Sequence, residues 1–137
     1  MLGVVAALGL ALGTLAYYQR LDDNPYRELA ARLDELVPPN GVILVHGSEA
    51  SLTQALWNAN RSRRRMVGVP TDEYWVGERL LPRLRRVALE EADIWRLRLD
   101  DAESPALLAE MARLGLCEEP GEGGVSPARL YHWTPCR

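Results

Sequence analysis

The sequence contains no lysine and no phenylalanine, and all 16 of its basic residues are arginine. That bias reflects GC-rich coding DNA rather than chemistry. Net positive charge is missing as well. At −3 over 137 residues, no global basic field draws nucleic acid, so no nucleic-acid partner is expected. Cysteine is scarce: Cys117 and Cys136 lack CxxC spacing, which argues against a four-ligand metal site. They form either one disulfide pinning the C-terminal tail, in an oxidising compartment, or two unpaired thiols. The GxSxG turn of serine hydrolases, the P-loop and GxGxxG are all absent. Nucleotide binding therefore has no motif behind it, and no cofactor is implied.

What is present is one long apolar run and one domain's worth of ordinary globular sequence. Met1 to Tyr18 carry no charged side chain. At about 1.5 Å per residue such a run spans roughly 27 Å, enough for a bilayer's hydrocarbon core. Tyr17 and Tyr18 fall where an aromatic belt belongs, with Arg20 beyond them. No basic residue precedes the run, and Tyr-Tyr-Gln-Arg is a poor cleavage context, so a membrane helix over 1–18 is expected in preference to a signal peptide. Gly9 and Gly13, with Gly3 and Ala7, place small residues on one face of that helix, where other membrane helices could pack. The arginines that follow, Arg20, Arg27 and Arg32, would by themselves put the domain in the cytoplasm.

Residues 19–137 read as a soluble α/β domain. Asn24-Pro25 opens a helix whose apolar positions run from Tyr26 to Val37, and Pro38-Pro39-Asn40-Gly41 ends it. Val42 to Val45 is a strand buried on both faces. A helix over 48–60 and a strand at Met66 to Val69 follow. A helix from Glu78 to Glu91 has an uncertain start, because Pro82 is tolerated only near a first turn. Ile94, Arg96 and Arg98 alternate with Trp95, Leu97 and Leu99, giving a period-two strand over 93–99. Ser104-Pro105 opens a helix to about Leu114 with Gly115 as its cap, 118–124 is a polar loop, and Arg129 to Trp133 is the last strand. The order predicts a mainly parallel three-layer α/β/α domain of about four strands, with the last strand able to form an antiparallel edge.

The candidate site residues are few. His46 and Ser48 lie at the carboxyl end of the first strand, where open α/β sheets bind ligands. Val42 to Gly47 also looks like the strand and His-Gly turn of α/β-hydrolases. Without a nucleophile elbow, and with no serine turn to match His132, Gly47 reads better as a strand-to-helix turn. Arg61, Arg63, Arg64 and Arg65 form the one strong charge cluster. They are either contacts for lipid phosphates or a solvated connector. Asp72-Glu73, Glu90-Glu91 with Asp93, and Asp100-Asp101 with Glu103 have no histidine near them in sequence, and the helix macrodipole accounts for such placement. Trp57, Tyr74, Trp75, Trp95 and Trp133 read as core and rim packing rather than a sugar or lipid pocket.

Taken together, Tyr17-Tyr18, Asn24-Pro25-Tyr26-Arg27, Val37-Pro38-Pro39-Asn40-Gly41 before Val42 to Val45, and Arg129-Leu130-Tyr131-His132-Trp133 resemble the C-terminal end of polytopic GT-C glycosyltransferases, the dolichyl-phosphate-mannose protein mannosyltransferase-like group. In that group a final membrane helix is followed by a small extracytoplasmic α/β domain. The resemblance implies a terminal or accessory domain without catalytic residues, beside a membrane enzyme that uses lipid-linked sugar. It also implies an extracytoplasmic placement, against the arginine rule. The expectation from another class is a stand-alone membrane-anchored protein-interaction module.

Overall fold

The computed structural model describes residues 26–89, 93–121 and 128–137. The expected span over 1–18, with Gly9 and Gly13, and the Asn24-Pro25 cap lie outside them. Among the described residues no helix is long and apolar enough to cross a membrane.

The domain is α/β as expected, but its sheet has five strands rather than about four and is mixed, parallel around the first strand and antiparallel beyond the third. In chain order the elements are α1 (Leu29–Leu36), β1 (Gly41–Gly47), α2 (Glu49–Ala59), β2 (Arg65–Pro70), α3 (Glu73–Trp75), a π-helical stretch (Val76–Leu80), α4 (Leu81–Leu89), β3 (Asp93–Arg98), α5 (Pro105–Arg113), β4 (Leu116–Pro120) and β5 (Arg129–Pro135). The strand order is β2-β1-β3-β5-β4. The β1 strand pairs in parallel with β2 and β3, whereas β3 with β5, and β5 with β4, run antiparallel.

The β4 strand takes in Glu118 to Pro120, the start of the segment read from the sequence as a polar loop. Its Leu-Cys-Glu-Glu-Pro sequence has neither apolar alternation nor β-branched residues, and β5 is the only strand it pairs with among the described residues. Its presence moves β5 inside the sheet. The last strand is thus antiparallel as allowed, but it is not an edge.

Period two explains the layering. Every residue of β1 is buried. Ile43 and Val45 point into one core with Leu29, Leu33, Ala55 and Leu97. Val42 and Leu44 point into the other, with Val76, Leu80, Leu107 and Trp133. Helices α1 and α2 cover the first face, and the π stretch, α4 and α5 cover the second.

Helix ends follow their caps. Ser104 Oγ accepts from Leu107 N (3.2 Å) ahead of Pro105, and Gly115 takes a left-handed φ of 78° just after α5. The third helical region starts earlier than expected, at Asp72, whose carboxylate accepts from Tyr74 N and Trp75 N. Pro82 therefore lies well inside a helical run. The π-helical stretch immediately before it sits where a residue without an N–H interrupts the α-helical ladder.

Candidate functional site

At the carboxyl ends of β1 and β3, where a ligand was expected, the sheet holds a buried polar array. The pairings His46 with Arg98 and Leu44 with Arg96 put both arginines of β3 on the His46 side of the sheet. Tyr131 and Glu118 share that face, through the pairings Arg96 with Tyr131 and Glu118 with Trp133. Arg96 is 1% exposed. Its Nη2 donates to Glu118 Oε1 (3.1 Å). Its Nε lies 2.9 Å from Glu118 Oε2, off the line of a hydrogen bond. The guanidinium carbon sits 5.4 Å from the centre of the Tyr131 ring, over its face. Burial dominates both partners: it pulls the Arg96 guanidinium below its ordinary pKa and pushes the Glu118 carboxyl up, despite their mutual attraction.

His46 is fully buried. Its Nδ1 faces Arg96 Nη1 at 3.4 Å. Arginine only donates, so Nδ1 is the acceptor and Nε2 carries the hydrogen, with no partner for it. Burial first, and then the Arg96 charge, lower the imidazole pKa to about 4. It is a neutral group at neutral pH. Ser48 does not join it: its Oγ donates to Asp100 Oδ2 (2.9 Å). Gly47 is required by space rather than by its φ, since a Cβ there would lie 2.7 Å from Leu99 Cβ.

The other histidine lies on the opposite face. His132 pairs with Trp95 across the β3–β5 ladder, and the two rings stack at 4.2 Å. Its Nε2 meets Asp93 Oδ1 at 2.5 Å, and Trp95 Nε1 donates to Asp93 Oδ2 (2.6 Å). Asp93 thus has a histidine partner that the linear sequence hid 39 residues away. With His46 and His132 on opposite sides of the sheet, they cannot share a substrate. Among the described residues no group of three or more His, Cys, Asp or Glu could hold a metal ion.

The arginine segment divides. Arg64 is structural: its Nε donates to Val37 O (2.7 Å) and its Nη2 to Asp34 O (2.8 Å), satisfying carbonyls at the end of α1. Asp34 accepts from Ser62 Oγ (2.5 Å) and Arg63 N (3.1 Å), which holds its carboxyl below the usual carboxylate range. Arg61, Arg63 and Arg65 are exposed. Arg65 begins the edge strand β2. Arg61 and Arg63 line a groove of about 620 Å³ between α1 and the end of α2, with Arg27, Asp34, Asn58 and Arg64. A recess of about 260 Å³ shares Arg27, Asn58 and Arg61 with it and adds Trp57 and Asn60. Trp57, expected as packing, is 76% exposed.

Cys117 of β4 and Cys136, just past β5, are joined in a disulfide. It crosses the two antiparallel strands that close the sheet on one side. No known protein family, curated protein sequence or solved structure matches this chain.

Proposed function

We propose that this chain is a non-catalytic, membrane-anchored terminal or accessory domain of a membrane glycosyltransferase using lipid-linked sugar, with its α/β domain outside the cytoplasm. The reading rests on the resemblance set out above. The observation that carries its non-catalytic part is the filling of the carboxyl ends of β1 and β3. There the Arg96–Glu118 pair and a neutral His46 fill the space against one another, with no nucleophile set beside a base there among the described residues. The Cys117–Cys136 disulfide supports the placement, because such bonds persist in oxidising compartments. Its place in the fold supports a stabilising role for the bond, closing the outermost hairpin of the sheet.

The test has two parts. In cells producing the full chain, a maleimide of high mass should label Cys117 and Cys136 only after reduction; two freely labelled thiols would overturn the extracytoplasmic placement. Coding DNA directly upstream should encode a polytopic membrane protein whose sugar transfer from a lipid-linked donor falls when residues 19–137 are removed. Unchanged transfer would sink the accessory role. The two edge strands, β2 and β4, each paired on one side only among the described residues, favour the second reading in that case: an anchored module that pairs with an extended segment of a partner protein.

A further inference from the structure

We propose that the groove between α1 and the end of α2 binds a phosphoester anion, its phosphate on Arg61 and Arg63 and its organic part against Trp57. The inference goes beyond the accessory role and does not depend on it, since an anchored module of any kind could carry such a site.

Charge is the first argument. The chain is net acidic, yet the side chains of Arg61 and Arg63 make no ion pair or hydrogen bond among the described residues. Asp34, which lines the same groove, feels the charge of Arg63 but makes no direct ion pair with either side chain. Its oxygens are taken by Ser62 Oγ and the Arg63 backbone N–H, with the Arg64 guanidinium 4.0 Å away. Two arginines therefore line one groove, each able to present paired N–H donors to phosphate oxygens. Because Arg64 is anchored to the carbonyls of Val37 and Asp34, the backbone carrying Arg63 is tied to α1 rather than swinging free.

The second argument is the wall beside those arginines. Trp57 is 76% exposed, an unusual position for a large apolar ring in a chain that buries Trp133 to 5%. Asn58 and Asn60 flank it in the adjoining recess. Asn58 uses one N–H on Gln54 O (2.8 Å) and keeps its side-chain carbonyl as an acceptor. An aromatic face beside amides and guanidinium groups suits a sugar ring or glycerol backbone joined to phosphate. A groove of about 620 Å³ lies within the usual range for small-ligand sites. Glu28 also lines it, which disfavours a larger polyanion and fits a ligand with a single phosphate.

The shared chemistry comes from either a soluble sugar phosphate or a lipid head group, and one titration separates them. The full chain, held in a neutral detergent, is titrated calorimetrically with glucose 1-phosphate, with dihexanoyl phosphatidate and with inorganic phosphate. At least one of the two organic ligands should bind saturably, one per chain, and more tightly than inorganic phosphate. Arg61→Gln and Arg63→Gln should each weaken it about tenfold or more. Arg65→Gln removes the same charge outside the groove and should leave affinity within about twofold. Preference for glucose 1-phosphate assigns a soluble sugar phosphate, and preference for phosphatidate assigns a lipid head group. All three substitutions are at exposed side chains, and circular dichroism verifies their folding. No saturable binding of either organic ligand, or an equal loss in Arg65→Gln, overturns the site.

Discussion

Arg96 in β3 reaches across the neighbouring strand β5, over the ring of Tyr131, to meet the carboxylate of Glu118 in β4 at 2.9 Å. One ion pair thus fastens the parallel half of the sheet to its outermost antiparallel strand, beneath the helices of the second core.

Removing one member of that pair should be far worse than removing both. Glu118→Ala leaves a guanidinium buried without its counter-charge and should cost roughly 3 kcal/mol. Arg96→Met combined with Glu118→Leu should recover much of that loss, because burial already disfavours both charges. Urea unfolding of the three variants checks the order. Equal destabilisation by the single and double changes would contradict it.

His46 makes stability depend on pH. Its folded pKa is about 4, against an ordinary imidazole value of 6.5. The unfolded chain therefore takes up a proton first as pH falls. The contribution from neutral His46 is complete above about 6.5 and is lost progressively down to about 4, amounting to roughly 3 kcal/mol. Arg96 and Arg98 reinforce the depression, while Glu103 and Glu73 oppose it. Glu118, raised by burial, acts with the opposite sign, its contribution fading as pH rises through its folded value. Comparing urea midpoints of the wild type and His46→Gln from pH 7.5 to 4 isolates the histidine: the variant's curve should be the flatter.

Reduction should loosen the same side of the sheet. The Cys117–Cys136 bond joins residues 19 apart, and a closed loop of that length stabilises by about 3 kcal/mol in the chain-entropy account. Since β4 has only β5 as a neighbour, Cys117→Ser/Cys136→Ser should also diminish the effect of Glu118→Ala. Thermal unfolding with and without reductant, in both backgrounds, measures that coupling.

The arginine segment should split in stability as it does in contacts. Arg64→Ala leaves the carbonyls of Val37 and Asp34 without their donor and should cost about 1–3 kcal/mol. Asp34→Ala, which removes the acceptor for Ser62 and Arg63, should cost a similar amount. Arg63→Gln should stay within about 0.5 kcal/mol of wild type. A large effect of Arg63→Gln would show that its side chain has a structural partner.

Periodicity and caps made much of the fold legible. The run Val42 to Val45, the alternation through Trp95, Leu97 and Leu99, and the Ser104-Pro105 start all appear where local chemistry places them. The β4 strand was hidden because Leu116 to Pro120 forms a strand only by pairing with β5. The start of the helical run before α4 was hidden because a π-helical stretch ahead of Pro82 lets that residue lie inside one continuous run. At the site level, Arg61 and Arg63 could be named from charge density. The separate task of Arg64 depended on carbonyls 27 and 30 residues away.

By itself, the sequence determined the alternation of helices and strands, the two-faced burial of β1 and the absence of nucleophile and nucleotide motifs, because these depend on spacing along the chain. Only the tertiary structure decided that Arg96 is buried rather than solvated, that Asp93 meets His132, and that Trp57 stands exposed beside a groove. Those facts depend on which strands become neighbours across the sheet, and pairing between distant segments is set by the packing of both cores together.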